Sequence, residues 1–186
     1  MEAFLTSTAL VALAEIGDKT QLLSFVLAAR LRRPAQIILG IFLATLANHA
    51  LAGSLGVWAA SFMSAQTQRW VTAAAFFAFA AWALVPDKLE SDRAVAARSA
   101  FVTTLVAFFL VEMGDKTQLA TVALGARYGE LAAVVLGTTL GMMIANVPAV
   151  LVGEAFATRI DMKVVRYVAA GLFVATGVLA LLAPAA

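Results

Sequence analysis

The sequence predicts an all-α integral membrane protein in which six transmembrane helices are arranged as two inverted-topology three-helix repeats. Three observations carry this reading. The first is composition: of 186 residues, 63% are hydrophobic and 13% charged, with a mean hydropathy of +0.95, well above the roughly 45–50% apolar content of soluble domains. The second is a series of six apolar runs, each close to the roughly 20 residues a helix needs to cross a bilayer. The third is a repeated hexapeptide: Glu15-Ile16-Gly17-Asp18-Lys19-Thr20 returns as Glu112-Met113-Gly114-Asp115-Lys116-Thr117, a step of 97 residues.

Taken in order, the first span is placed near 3–29, because Arg30-Leu31-Arg32-Arg33-Pro34 breaks it from the second, near 35–62. Its beginning, Met1-Glu2-Ala3-Phe4, has no basic segment, and the apolar run behind it exceeds the roughly 7–15 residues of a signal-peptide core, so it is expected to remain as a span. The third span, near 69–85, ends at Pro86. Asp87-Lys88-Leu89-Glu90-Ser91-Asp92-Arg93 opens a polar cytoplasmic linker over 87–99, dividing a first repeat at 1–86 from a second at 100–186. Spans near 100–126, 130–157 and 164–182 complete the six.

The step of 97 also carries Gln21 to Gln118, Gly40 to Gly137, Ala44 to Gly141, Arg69 to Arg166 and Phe76 to Phe173, and a one-residue slip aligns Ala47-Asn48 with Ala145-Asn146. Three spans per repeat is an odd number, so the second repeat enters the membrane upside down. The turns after spans one, three and five hold Arg30, Arg32, Arg33, Lys88, Arg93, Arg98, Arg159, Lys163 and Arg166, against Arg69 and Arg127 opposite. The positive-inside rule then puts the three basic turns in the cytoplasm and both termini outside. Basic residues confined to short turns suit lipid headgroups and argue against a nucleic-acid partner. The absence of cysteine excludes disulfides, thiolate metal ligands and thiol catalysis.

The duplicated motif sets charges at membrane depth, where they are costly and mark ion pathways. On an unbroken helix Glu15 and Asp18 lie about 60° apart and Glu15 and Lys19 about 40°, sharing a face, as do Glu112, Asp115 and Lys116. Four carboxylates on two facing helices thus form a candidate cation site. Lys19 and Lys116 are charge-balancing and able to pair with their own glutamates. Gly17 and Gly114 remove side-chain bulk beside the acids, letting helices approach or the backbone yield locally. Thr20, Thr117, Gln21 and Gln118 add neutral oxygens within a turn, and Asn48 and Asn146 either close the shell or join helices by hydrogen bonds. His49 reads as a packing histidine, Glu154 as interfacial, the Gly40/Ala44 and Gly137/Gly141 spacings as helix seams, and the Phe76–Phe79 and Trp82 cluster as lipid-facing or bundle-filling.

These doubled motifs, each followed by glutamine, resemble the paired Glu-x-Gly-Asp-Lys-Thr/Ser signature of the Gdt-type family, also called uncharacterised protein family 0016, over essentially the whole chain. The resemblance implies a transporter, not an enzyme, that exports Mn2+ or Ca2+ from the cytoplasm in exchange for protons, with Glu15, Asp18, Glu112 and Asp115 binding the metal. The short linker is like that of compact bacterial members and implies a bacterial inner membrane, with Mn2+ ahead of Ca2+. An all-oxygen site suits Mg2+, Ca2+ or Mn2+ and argues against Cu+ or structural Zn2+. No permanently bound cofactor is expected. Two rival classes share some of these features. An intramembrane aspartyl protease also needs two membrane aspartates, but Ala14 and Val111 stand before the glutamates and a lysine adjoins each aspartate, which disfavours a shared proton. An exporter of small organic solutes such as amino acids is the remaining alternative.

Overall fold

The computed structural model describes residues 1–85, 99–152 and 162–182. Among the described residues the chain is helical, with no strands, in eight α-helices: α1 (Glu2–Glu15), α2 (Lys19–Leu31), α3 (Pro34–Ala60), α4 (Ala65–Ala83), α5 (Ala100–Glu112), α6 (Lys116–Tyr128), α7 (Leu131–Val152) and α8 (Met162–Leu182). α3, α7 and residues 163–182 of α8 are long and apolar enough to cross a membrane, and α5 is a shorter apolar helix. This is the build of an integral membrane protein. The linker read at 87–99 lies, except for Ser99, outside the described residues, as do Glu154 and Arg159.

One expectation needs correction. The runs at 3–29 and 100–126 are not continuous helices: each is two helices of 13 or 14 residues separated by a break at the repeated motif. Ile16 and Met113 are extended, with ψ of 116° in both, and Gly17 and Gly114 follow with φ of 81° and 80°. A positive φ is open to glycine at little cost and to other residues only with strain. Asp18 and Asp115 are again extended and serve as N-caps of α2 and α6. The angular argument that puts Glu15, Asp18 and Lys19 on one helical face therefore does not apply, because the helix stops between them.

Packing repeats with the sequence. α1 lies on α7 as α5 lies on α3; α2 meets α7 as α6 meets α3; α3 pairs with α7 and α4 with α8. The seams are built by small residues, as expected from their spacing. A Cβ at Gly137 or Gly141 collides with the α1 backbone at Phe4, Thr8 and Ala12, and one at Gly40 collides with Phe101 and Thr104 of α5. Close backbone approach replaces the hydrophobic effect as the source of helix association in lipid. Phe76 and its repeat mate Phe173 stack on each other at 6.3 Å across the α4–α8 contact, both buried, so this part of the aromatic cluster fills the bundle. The symmetry is not exact, since α6 lies on α3 more extensively than α2 on α7. α4 also packs on α6 and α8 on α1, whereas the mates of these contacts, α8 on α2 and α4 on α5, are not made to the same extent.

Candidate metal centre

The two breaks bring the motif acids together. Among the described residues, Glu15, Glu112 and Asp115 each offer a carboxylate oxygen, all within 4.8 Å of one another, and all three are buried. Thr20 donates to Oε2 of Glu15, and Thr117 donates to Oε2 of Glu112 at 3.2 Å. The second oxygen of each glutamate, Oε1, is buried with no hydrogen-bond partner among the described residues. Buried oxygens left unsatisfied are costly and call for a ligand or a proton.

Asp18 lies outside that group of three but within the same centre. Its Oδ1 is 2.6 Å from Nζ of Lys116, and Nζ of Lys19 is 2.6 Å from Oδ1 of Asp115. Each lysine thus crosses to the other repeat's aspartate and does not pair with its own glutamate, as continuous helices would have it do. The physical reason is the break: the extended residues before α2 and α6 turn each lysine away from its own glutamate and toward the facing helix. The two pairs differ in exposure, with the Lys19 side chain 25% exposed and that of Lys116 7%. Formal charge balances in an informative way: two ammonium groups are matched to two aspartates, leaving the charges of Glu15 and Glu112.

The neutral residues hold the frame. Gln21 Oε1 accepts the backbone N–H of Gly17 at 2.9 Å, and Gln118 Oε1 accepts that of Gly114 at 2.7 Å, so both glutamine carbonyls are turned onto the breaks. Their amide groups tie the breaks to the long helices: Gln21 donates to the Ala145 carbonyl at 2.9 Å, and Gln118 to Oδ1 of Asn48 at 3.4 Å. Pro148 stands inside α7, where it removes one backbone donor beside the segment that receives Gln21. Asn48 donates to the Phe109 carbonyl at 3.1 Å, and Asn146 accepts from Ser24 at 2.7 Å while donating to the Met142 carbonyl at 3.1 Å. Both asparagines thus make interhelical bonds. His49, fully buried, has no hydrogen-bond partner at either nitrogen among the described residues.

Sequence reasoning passes over Ser24 and the crossed lysine pairing. The 97-residue step points to the first, since Ser24 maps onto Thr121 and preserves a hydroxyl. No local signal gives the second, because which aspartate a lysine reaches depends on how two distant breaks face each other.

Comparison with known proteins gives a consistent set of relatives. The family model described as divalent cation/proton antiporter GDT1 matches residues 3–91 and 100–186. A protein of Vibrio cholerae serotype O1 named "Putative manganese exporter" is 52% identical over 174 residues, covering 93% of this chain and 87% of the relative. GDT1-like protein 5 of Arabidopsis thaliana is 30% identical over 224 residues, covering 99% of this chain and 97% of the relative. GDT1-like protein 4 of the same plant is 28% identical over 220 residues, covering 96% of this chain and 94% of the relative. No solved structure matches the chain.

Proposed function

The chain belongs to the GDT1 family of divalent cation/proton antiporters, which are transporters and not enzymes, and from that premise we propose that it exports Mn2+ from the cytoplasm in exchange for protons. The observation that carries this is the convergence of Glu15, Glu112 and Asp115 oxygens within 4.8 Å at two buried helix breaks. Hard oxygen donors suit Mn2+ and Ca2+, and the name of the Vibrio cholerae relative favours Mn2+. In this reading Asp18 joins the shell when Lys116 is displaced. Thr20, Thr117, Gln21, Gln118, Asn48 and Asn146 fix or complete it, and Lys19 and Lys116 balance charge.

The architecture that supports this function is six spans in two inverted repeats, residues 1–86 and 100–186, joined by a cytoplasmic linker. Spans one and four are then the broken pairs α1–α2 and α5–α6, both termini lie outside, and the membrane is a bacterial inner membrane. Discontinuous helices meeting near the midplane are a known way to build such a site. Proton exchange follows from charge. With the aspartates matched to lysines, one divalent cation neutralises Glu15 and Glu112, and the return of the empty carrier through a low-dielectric layer needs protons in its place.

Flux in proteoliposomes tests both halves of the proposal. Mn2+ is expected to move faster than Ca2+, Mg2+ or amino acids, and an imposed pH gradient, acidic on one side, is expected to drive Mn2+ uphill toward that side. Mn2+ flux indifferent to the gradient leaves a uniporter; amino acid flux without metal flux overturns the assignment.

A further inference from the structure

The two ends of the bundle differ in how α4 and α8 are tied down. At the end where α4 begins and α8 stops, Arg69 donates to the carbonyl of Leu181, Gln68 donates to the carbonyl of Ala126, and Arg127 donates to the carbonyl of Thr176 at 2.9 Å. Leu181 lies in the last turn of α8, where carbonyls have no partner within the helix and a cation is favoured. The 97-residue step maps Arg69 onto Arg166, Leu181 onto Leu84, Arg127 onto Arg30 and Thr176 onto Phe79. All four mates stand at the opposite end, and Leu84 is the C-cap of α4 as Leu181 lies in the last turn of α8.

Neither Arg30 nor Arg166 makes a hydrogen bond or ion pair among the described residues, and Arg30 is exposed. Arg166 instead lines a cleft with Ala83 and Val85, on either side of Leu84, and this cleft reaches Gly17, Asp18 and Lys116 at the metal centre. The helices lean accordingly: α4 and α8 are drawn onto α6 and α1, away from α2 and α5. Among the described residues, these bonds stand at one end of α4 and α8, and the cleft toward the site opens at the other.

We propose that Arg69 and Arg166 are positioning residues that form an alternating latch for the transport cycle. In the state with the α4 N-terminal end closed, Arg69 caps α8 and shuts that end. In the opposite state Arg166 caps α4 at Leu84, Arg30 reaches Phe79, and Arg69 and Arg127 let go. In an inverted repeat the second state is the first with the repeats exchanged, so each latch bond has its image. Gln68 is the exception. Its mate is Val165, which cannot donate, so the state with the α4 N-terminal end closed keeps an extra bond and is favoured at rest. This inference rests on the transport reading above, under which the open end is the cytoplasmic one.

The chain has no cysteine, so spin-label pairs can be placed in the full-length protein in proteoliposomes. One pair, Trp70→Cys with Leu182→Cys, reports the closed end; the other, Val85→Cys with Val164→Cys, reports the open end, and all four positions are exposed. Arg69→Gln is expected to lengthen the first separation and shorten the second, Gln68→Val to do the same to a smaller extent, and Arg166→Gln to leave both unchanged at rest. Arg166→Gln is also expected to lower maximal Mn2+ flux about tenfold, the rate equivalent of losing one charge-assisted hydrogen bond, with the half-saturating Mn2+ concentration unaltered. Separations that ignore both Arg69→Gln and Gln68→Val, or that respond to Arg166→Gln as strongly as to Arg69→Gln, overturn the latch. If Arg69→Gln fails to insert, Gln68→Val decides alone. The separations do not depend on cargo: shifts as expected in a protein that carries no Mn2+ sink the transport reading and leave the latch standing.

Discussion

Glu15 and Glu112 are separated from Asp18 and Asp115 less by chemistry than by what stands opposite them. Both aspartates face a lysine of the other repeat at 2.6 Å, while each glutamate keeps one buried oxygen without a partner. That these acids cluster was legible in the sequence, because charges repeated at matched depth in an apolar chain point to a shared site. Their division into lysine-matched and unmatched pairs was not legible, since it arises from contacts between residues about 100 positions apart in the chain. The unmatched glutamates, together with Asp115, which offers an oxygen within 4.8 Å of theirs, are expected to carry the cation most directly. Glu15→Gln, Glu112→Gln and Asp115→Asn should each weaken Mn2+ affinity by roughly tenfold or more, about 1.4 kcal/mol, with insertion unaffected. Equilibrium binding of Mn2+ to the purified variants checks this, and wild-type affinity in any two of them excludes the shared oxygen site.

At the scale of elements, the informative feature is where helices stop. Two helix ends lie where spacing and hydropathy put them: α3 begins at Pro34 against an expected 35, and α8 ends at Leu182 as read. The same signals overlooked both breaks, because Ile16 and Met113 are apolar and a glycine inside an apolar run leaves hydropathy unchanged. The break shows only in dihedral angles, where Gly114 has φ of 80°. A Cβ at Gly114 meets nothing within 4 Å, so Gly114→Ala adds backbone strain and no collision. The expected cost is about 1–2 kcal/mol, relieved by rotating the Glu112 and Asp115 carboxylates out of register. The variant should insert and fold but bind Mn2+ weakly, and a thermal unfolding midpoint compared with a Mn2+ titration separates the two effects. A variant with unchanged binding shows that the left-handed angle is dispensable.

At the scale of the molecule, the described helices pack in two sets that follow the sequence repeat. Repeat mates meet directly at Phe76 and Phe173 and correspond at Gly40 and Gly137. The duplication was plain in the sequence; the inequality between the copies was not, because it lies in which of two equivalent arginines is bonded. The crossed lysine–aspartate pairs also have a consequence in time. Asp18 and Lys19 emerge from the ribosome roughly 100 residues before Lys116 and Asp115, which at about 5–20 residues per second is on the order of 5–20 s. During that interval the first half sits in the membrane with an acid and a base whose partners have not been made. Residues 1–86 expressed alone should therefore be short-lived in pulse-chase labelling, and co-expression of residues 87–186 should extend their lifetime; equal lifetimes show that the halves do not wait for each other. A chain that hides its charges in its own second half depends for survival on being finished, and the quality control it meets is the completion of its own synthesis.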